Sequence, residues 1–196
     1  MEQKYPNIIL ASQSPRRKEL LQKHDIAFSV FVTDTDETVT EKMTPSRLVQ
    51  ELSYRKAQSA AEHFKGQETL IVAADTVVAL GNEIFGKPKD KEDAFRMLFA
   101  LSGKAHSVFT GVCLAFLNQK EVQYESLVCE TKVYFKALTN EEIQQYILTG
   151  EPFDKAGSYA IQGIASQFVE KIEGDYDNVV GLPVEAILPW LKPQSK

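Results

Sequence analysis

Three cations follow a serine and a proline near the start of the chain, in Ser12-Gln13-Ser14-Pro15-Arg16-Arg17-Lys18. The apolar run Ile8-Ile9-Leu10-Ala11 just before them reads as a buried strand. Ser14-Pro15 reads as the cap and first position of a helix. Cations in a first helical turn oppose the helix dipole, each by about 0.3–1 kcal/mol when exposed. A strand-to-helix turn with backbone amides, hydroxyls and cations suits an anion, and guanidinium forks match phosphate oxygens in pairs. The alternative is an ordinary Ser-Pro helix start on a basic, solvated surface. On this segment alone both readings stand.

Other residues widen the chemistry. Asp75 interrupts a long apolar run, Leu70 to Leu80. An unpaired carboxylate there costs several kcal/mol, about as much as any buried unpaired charge. It needs a cation, a metal, donors or an opening to a cleft, unless it marks a strand end. Glu37 sits in the acidic stretch Asp34-Thr35-Asp36-Glu37-Thr38. That stretch is not a calcium loop, because Val39 stands where glycine is needed and Pro45 where the bidentate glutamate is needed. It reads as a solvated loop, or as half of a magnesium-type site shared by Glu37, Asp75 and substrate phosphates. Lys56 interrupts an apolar helical stripe, which a snorkelling lysine also does. Lys87 lies on a Gly-Pro turn in Phe85-Gly86-Lys87-Pro88. With Arg16 and Arg17 these lysines could ring a triphosphate. Gln162, in the small-residue stretch Gly157 to Gly163, carries both a donor and an acceptor and suits a base edge, or a surface turn.

Several classes are excluded. There is no G-x-x-x-x-G-K-[ST] loop, no G-x-G-x-x-G fingerprint and no G-x-S-x-G elbow. His24, His63 and His106 lack zinc spacing. The net charge of −5 argues against a protein that coats nucleic acid. No apolar run is long enough for a membrane span. The N-terminal Met1 to Pro6 lacks a secretory pattern. Cys113 and Cys129 form no C-x-x-C pair, which fits a reduced, cytoplasmic chain.

These residues need elements to hold them. The sequence predicts a strand and helix over 7–24, a second strand at 28–32, and a long helix over 44–64. It predicts a strand at 69–80 turning at Gly81-Asn82, a helix capped by Asp90 and stopped at Gly103, and a hairpin over 107–136 around Asn118. Thr139-x-x-Glu142 is a capping box for a helix ended by Gly150, and Pro183 starts a last helix. Strands mixed with long helices predict one α/β domain over 1–196, with a mixed β-sheet and flanking helices.

Taken in order along the chain, the blocks resemble the Maf family of nucleoside triphosphate pyrophosphatases. They are Leu10-Ala11-Ser12-x-Ser14-Pro15-Arg16-Arg17, Glu37, Lys56-Ala57, Ala74-Asp75-Thr76, Gly86-Lys87-Pro88, Ser102-Gly103, Thr110-Gly111, Asp154-Lys155-Ala156-Gly157, Ile161-Gln162-Gly163 and Val180-Gly181-Leu182-Pro183. The resemblance implies an ITPase-like Maf fold with a ligand cleft between two lobes. It implies hydrolysis of a nucleoside triphosphate to monophosphate and pyrophosphate with Mg²⁺ or Mn²⁺. Asp75 matches the family's proposed proton acceptor, Ser12, Arg17, Glu37, Lys56 and Lys87 match positions linked to activity, and Arg16, Thr76 and Gln162 match positions linked to base choice. Residues and resemblance together give a mechanism in which Ser12, Arg16 and Arg17 hold the phosphates, Lys56 and Lys87 neutralise developing charge, and Glu37 with Asp75 holds the metal.

At three places the chain is similar to the branch acting on dTTP and UTP: Arg16 directly after Pro15, Thr76 after Asp75, and Gln162. A sister branch acts on 7-methyl-GTP. The resemblance also implies a tendency to homodimerise, with the 107–136 hairpin as the candidate surface. A nucleotide-sensing regulator of septum formation without turnover, and a house-cleaning enzyme for modified nucleotides, are the competing roles.

Overall fold

In the computed structural model, residues 5–39 and 41–192 are described; residues 1–4 of the N-terminal stretch read above lie outside them. The elements in order are β1 (Ile8–Ala11), α1 (Pro15–Lys23), β2 (Ser29–Val30), α2 (Pro45–His63), β3 (Thr69–Leu80), β4 (Glu83–Phe85), α3 (Lys91–Leu101), β5 (Ala105–Leu117), β6 (Val122–Phe135) and α4 (Asn140–Leu148). Three 3-10 turns follow, at Glu151–Asp154, Ala156–Ser158 and Ile164–Phe168. The chain ends in β7 (Val169–Glu173), α5 (Tyr176–Val180) and α6 (Val184–Leu191). The strands form a mixed sheet in the order β2-β1-β3-β5-β6-β7, with β4 on β3. β1 runs parallel to β2 and β3, and β4 and β7 run antiparallel to β3 and β6. No described helix is long and apolar enough to cross a membrane.

Four helices, α1 to α4, begin where local chemistry puts them. The hydroxyls of Ser14 and Thr44 and the carboxylate of Asp90 accept from the backbone amides of Arg17, Arg47 and Asp93, which is how N-caps satisfy orphan donors. Thr139 and Glu142 form the expected reciprocal capping box. The Asn118 side chain accepts from the amides of Lys120 and Glu121 and closes the hairpin turn. β2 is only two residues long, and β7, α5 and the three 3-10 turns have no counterpart in the elements expected from the sequence. The approach to α5 is tied to β6 by the Thr131 hydroxyl, which donates to the Asp175 carbonyl and accepts from the Asp175 amide. Contacts at that separation leave no local pattern.

The chain divides into two compact units, one of residues 1–75, 110–129 and 181–196, the other of 76–109 and 130–180. In the first, the small residues Ala57, Ala60 and Ala61 of α2 pack with Ile9, Ile71, Ala73, Cys113 and Ala115. In the second, α3 and α4 contribute Met97, Leu98, Ile143, Tyr146 and Ile147 to a core that includes Phe135 and Phe168.

The second core also holds His106. Its Nε2 lies 2.8 Å from the Tyr159 hydroxyl, and the Phe135 ring meets it edge-on. Burial pushes its pKa down to about 4 from 6.5. A folded value below the unfolded one means that the unfolded chain binds the proton first. Stability is therefore full above about pH 6.5 and falls as the pH drops toward 4. Denaturant unfolding at pH 7 and pH 5 should differ by about 2 kcal/mol from this group, and His106→Gln should remove that part of the difference.

Candidate active site

The first unit brings together six of the residues singled out in the sequence. The turn after β1 places Ser12, Arg16 and Arg17. Ser12 is buried, and its hydroxyl accepts from the Ser14 amide at 3.2 Å and from the Arg17 guanidinium at 3.3 Å. Arg17 also donates through Nε to the Gly181 carbonyl at 2.7 Å and through a terminal nitrogen to the Ala74 carbonyl at 2.8 Å. Arg17 is thus a strut between the β1–α1 turn, the residue before Asp75 and the start of the C-terminal segment. Burial lowers its pKa, and Asp75 acts in the opposite direction. The apparent conflict with the helix dipole is met by these carbonyls, which take the guanidinium's donors.

Lys56 gathers the carboxylates. It projects from α2, and its ammonium lies 2.6 Å from Asp75 Oδ1 and 2.8 Å from Glu37 Oε1. The side chains of Lys56 and Asp75 are each 13% exposed, against 57% for Glu37. A charge this buried is tolerated only when paired, so the break that Lys56 makes in the apolar stripe is explained by its partners. The loop carrying Glu37 is held from the same helix. Arg55 donates to the carbonyl of Thr38 at 3.0 Å and to that of Asp36 at 3.4 Å, while Glu51 holds its Nε. The Asp36 carboxylate accepts from the Thr38 amide, and hydrogen bonds from Thr38 lower its pKa.

Asp75 lies mid-strand, so Thr76 projects to the opposite face of β3. Thr76 is half-buried and begins the second unit. Lys87 and Gln162, both exposed, also belong to that unit. The segment before Lys87 meets the one that leads to Gln162 through one backbone bond: the Gly157 amide donates to the Gly86 carbonyl at 3.0 Å. Gly157 has a positive φ of 67°, and a Cβ there would lie 2.7 Å from Val78 Cγ2. Ser158 follows with a positive φ of 64°, a left-handed pair that costs energy at a non-glycine residue and clusters at functional loops.

Among the described residues, no group of three or more His, Cys, Asp or Glu side chains gathers as a metal site. The pair Glu37 and Asp75 is the donor set on offer. Two carboxylates converging on one ammonium suit a hard divalent cation that takes its other ligands from water and phosphate.

The Maf-like protein family model matches residues 7–194. The chain belongs to the Maf-like protein family. Among curated relatives of this Maf-like protein, one from Thermosipho africanus is 51% identical over 180 residues, covering 92% of this chain and 89% of that protein. Another, from Caldanaerobacter subterraneus subsp. tengcongensis, is 49% identical over 185 residues, covering 94% and 87%. Both are named dTTP/UTP pyrophosphatase. A looser likeness, with TM-score 0.42 and 13% identity over 83% of this chain and 90% of the other, is to the Staphylococcus aureus Ham1 protein, and it adds nothing to the assignment.

Among the candidate functional residues of this Maf-like protein, sequence reasoning missed Glu151, in the second unit. Glu151 accepts hydrogen bonds from the Tyr146 hydroxyl and from the amides of Ile164 and Ala165. A glutamate between Gly150 and Pro152 looks like any turn residue, and the sequence holds no sign of those distant donors.

Proposed function

We propose that the protein hydrolyses nucleoside triphosphates, dTTP and UTP foremost, to the nucleoside monophosphate and pyrophosphate. The carrying observation is the ammonium of Lys56 holding Asp75 and Glu37 together beside the Arg17 strut. A largely buried, paired aspartate next to a phosphate-suited turn is what water activation at a phosphoryl group requires. The names of the relatives at about half identity point to the same reaction and to the pyrimidine substrates.

Ser12, Arg16 and the amides of the β1–α1 turn bind phosphate oxygens, while Arg17 fixes that turn and adds charge. Lys56 engages Asp75 Oδ1, so the proton of the attacking water is taken at Oδ2. Lys56 and Lys87 neutralise charge that grows on the phosphoryl oxygens. The Arg17, Lys56, Glu37 and Asp75 side chains are two cations and two anions, so they alone do not balance a polyanionic triphosphate. Mg²⁺ or Mn²⁺ at Glu37 and Asp75 would supply the missing positive charge and polarise the α-phosphate. Thr76 and Gln162 read the pyrimidine, the glutamine amide pairing its donor and acceptor with the base edge.

Pyrophosphate release across the common ribo- and deoxyribonucleoside triphosphates, with divalent metal omitted and restored, tests this reading. Metal-dependent release that is fastest with dTTP and UTP is expected. Tight nucleotide binding with no release from any of them would instead support a non-hydrolysing regulator.

A further inference from the structure

Gln162 is exposed on a tight turn, and the residues around it are anchored by hydrogen bonds on both sides. The Gly163 amide donates to the Ala160 carbonyl at 3.1 Å, which places Ile161 and Gln162 at the two corners of the turn. Ile161 is buried. At the entry, the Tyr159 hydroxyl meets His106 Nε2 at 2.8 Å. At the exit, Glu151 Oε2 accepts from the Ile164 amide at 3.0 Å and Oε1 from the Ala165 amide at 3.5 Å. Oε1 also accepts from the Tyr146 hydroxyl at 2.9 Å. Burial first, then the Glu151 carboxylate, raises the pKa of that tyrosine, so the phenol stays protonated as a donor. The Lys155 ammonium donates to the Glu151 backbone carbonyl at 2.7 Å.

The glutamate therefore stands as a remote cap on the 3-10 turn at Ile164–Phe168, whose own N-cap residue, Gly163, supplies no side-chain bond. It also packs against the residue that follows Gln162. A Cβ at Gly163 would strike the Glu151 carboxylate, so a side chain there would push the carboxylate away from the amides it binds. An amide that must tell one base edge from another needs its backbone fixed, because hydrogen-bond discrimination decays quickly with misalignment. Stabilising the turn at Ile164–Phe168 would need only the two amide bonds. Its close approach to Gly163 as well sets the carboxylate against the residue that follows Gln162.

We propose that Glu151 is a positioning residue for base selection: by binding the amides of Ile164 and Ala165 it sets the turn that presents Gln162 to the pyrimidine. This rests on Gln162 being the base reader. Each oxygen of Glu151 accepts from one backbone amide at the exit of the turn; in Glu151→Gln one oxygen becomes an NH2 group, which cannot accept. The loss should loosen the turn without touching the Asp75 cluster.

The test compares kcat and KM for UTP and CTP in the wild type and in Gln162→Ala, Glu151→Gln and Tyr146→Phe, with amide hydrogen exchange at Ile164 and Ala165. These bases differ at the carbonyl-for-amine position that an amide can read. Gln162→Ala should lower the UTP-over-CTP ratio of kcat/KM by about tenfold or more, the order expected of one lost hydrogen bond. Glu151→Gln should lower it by about fivefold or more, through a higher KM for UTP with kcat little changed, and should speed exchange of both amides. Tyr146→Phe, which keeps both amide bonds, should leave the ratio unchanged. If Glu151→Gln does not fold, Glu151→Asp, with its carboxylate withdrawn by one methylene, should give the same loss of ratio. A ratio that falls in Gln162→Ala but holds in the folded glutamate variant overturns the role of Glu151. A ratio that holds in Gln162→Ala overturns base reading by Gln162, and the proposal with it. Equal losses of kcat for both substrates would mark Glu151 as a purely structural anchor and also overturn it.

Discussion

Asp75→Asn should lower kcat for dTTP by about a thousandfold while leaving the protein folded and able to bind nucleotide. Removing a general base typically costs between about a hundredfold and ten-thousandfold. The asparagine has the same shape, and its carbonyl oxygen can still accept from the Lys56 ammonium, which keeps Glu37 as its second partner. The change thus removes the proton acceptor and one negative charge without opening a cavity. Steady-state kinetics, with thermal melting and titration by a non-hydrolysable triphosphate as controls, will check it. Turnover within a few-fold of the wild type in a folded protein would remove Asp75 from the role of base.

Gly111→Ala should destabilise the protein by roughly 3 kcal/mol or more, at the upper end of overpacking costs. Gly111 lies in β5 against the backbone of α2. A Cβ there would strike the Val49 carbonyl and lie 2.9 Å from the Gln50 backbone nitrogen. These are backbone atoms, so no side-chain rotation relieves the clash and the helix itself has to move. Because α2 also carries Lys56 and the Arg55 that pins the Glu37 loop, the same displacement should disturb the ion cluster. We expect a melting temperature lower by about 6–12 °C for a chain of this size, together with loss of activity. A shift of less than about 2 °C would mean that β5 and α2 are not packed as closely as described.

The parts of this molecule that could be read from the sequence are those whose causes are local. Ser14, Thr44 and Asp90 announce helix starts because their side chains bond amides only three residues away. The capping box at Thr139 and the Asn118 turn are legible for the same reason. Asp75 was legible as an anomaly, a carboxylate inside an apolar strand, although its partner was not, since Lys56 lies on a different element. Arg17 shows the limit. Its charge at a helix start suggested an anion site, yet it donates hydrogen bonds to the Ser12 hydroxyl and to the carbonyls of Ala74 and Gly181, and the latter two are far away in sequence. β7 and Glu151 escaped for that reason too. What fixes them is the antiparallel pairing of β7 with β6, and, for Glu151, the amides of Ile164 and Ala165.

The central claim is that water attacks the α-phosphorus of the triphosphate, activated at Asp75, with pyrophosphate leaving. Turnover of dTTP in water enriched in oxygen-18, followed by mass spectrometry of both products, tests it most directly. The label should appear in the nucleoside monophosphate and be absent from pyrophosphate. Label in the pyrophosphate, or release of orthophosphate in its place, would contradict it.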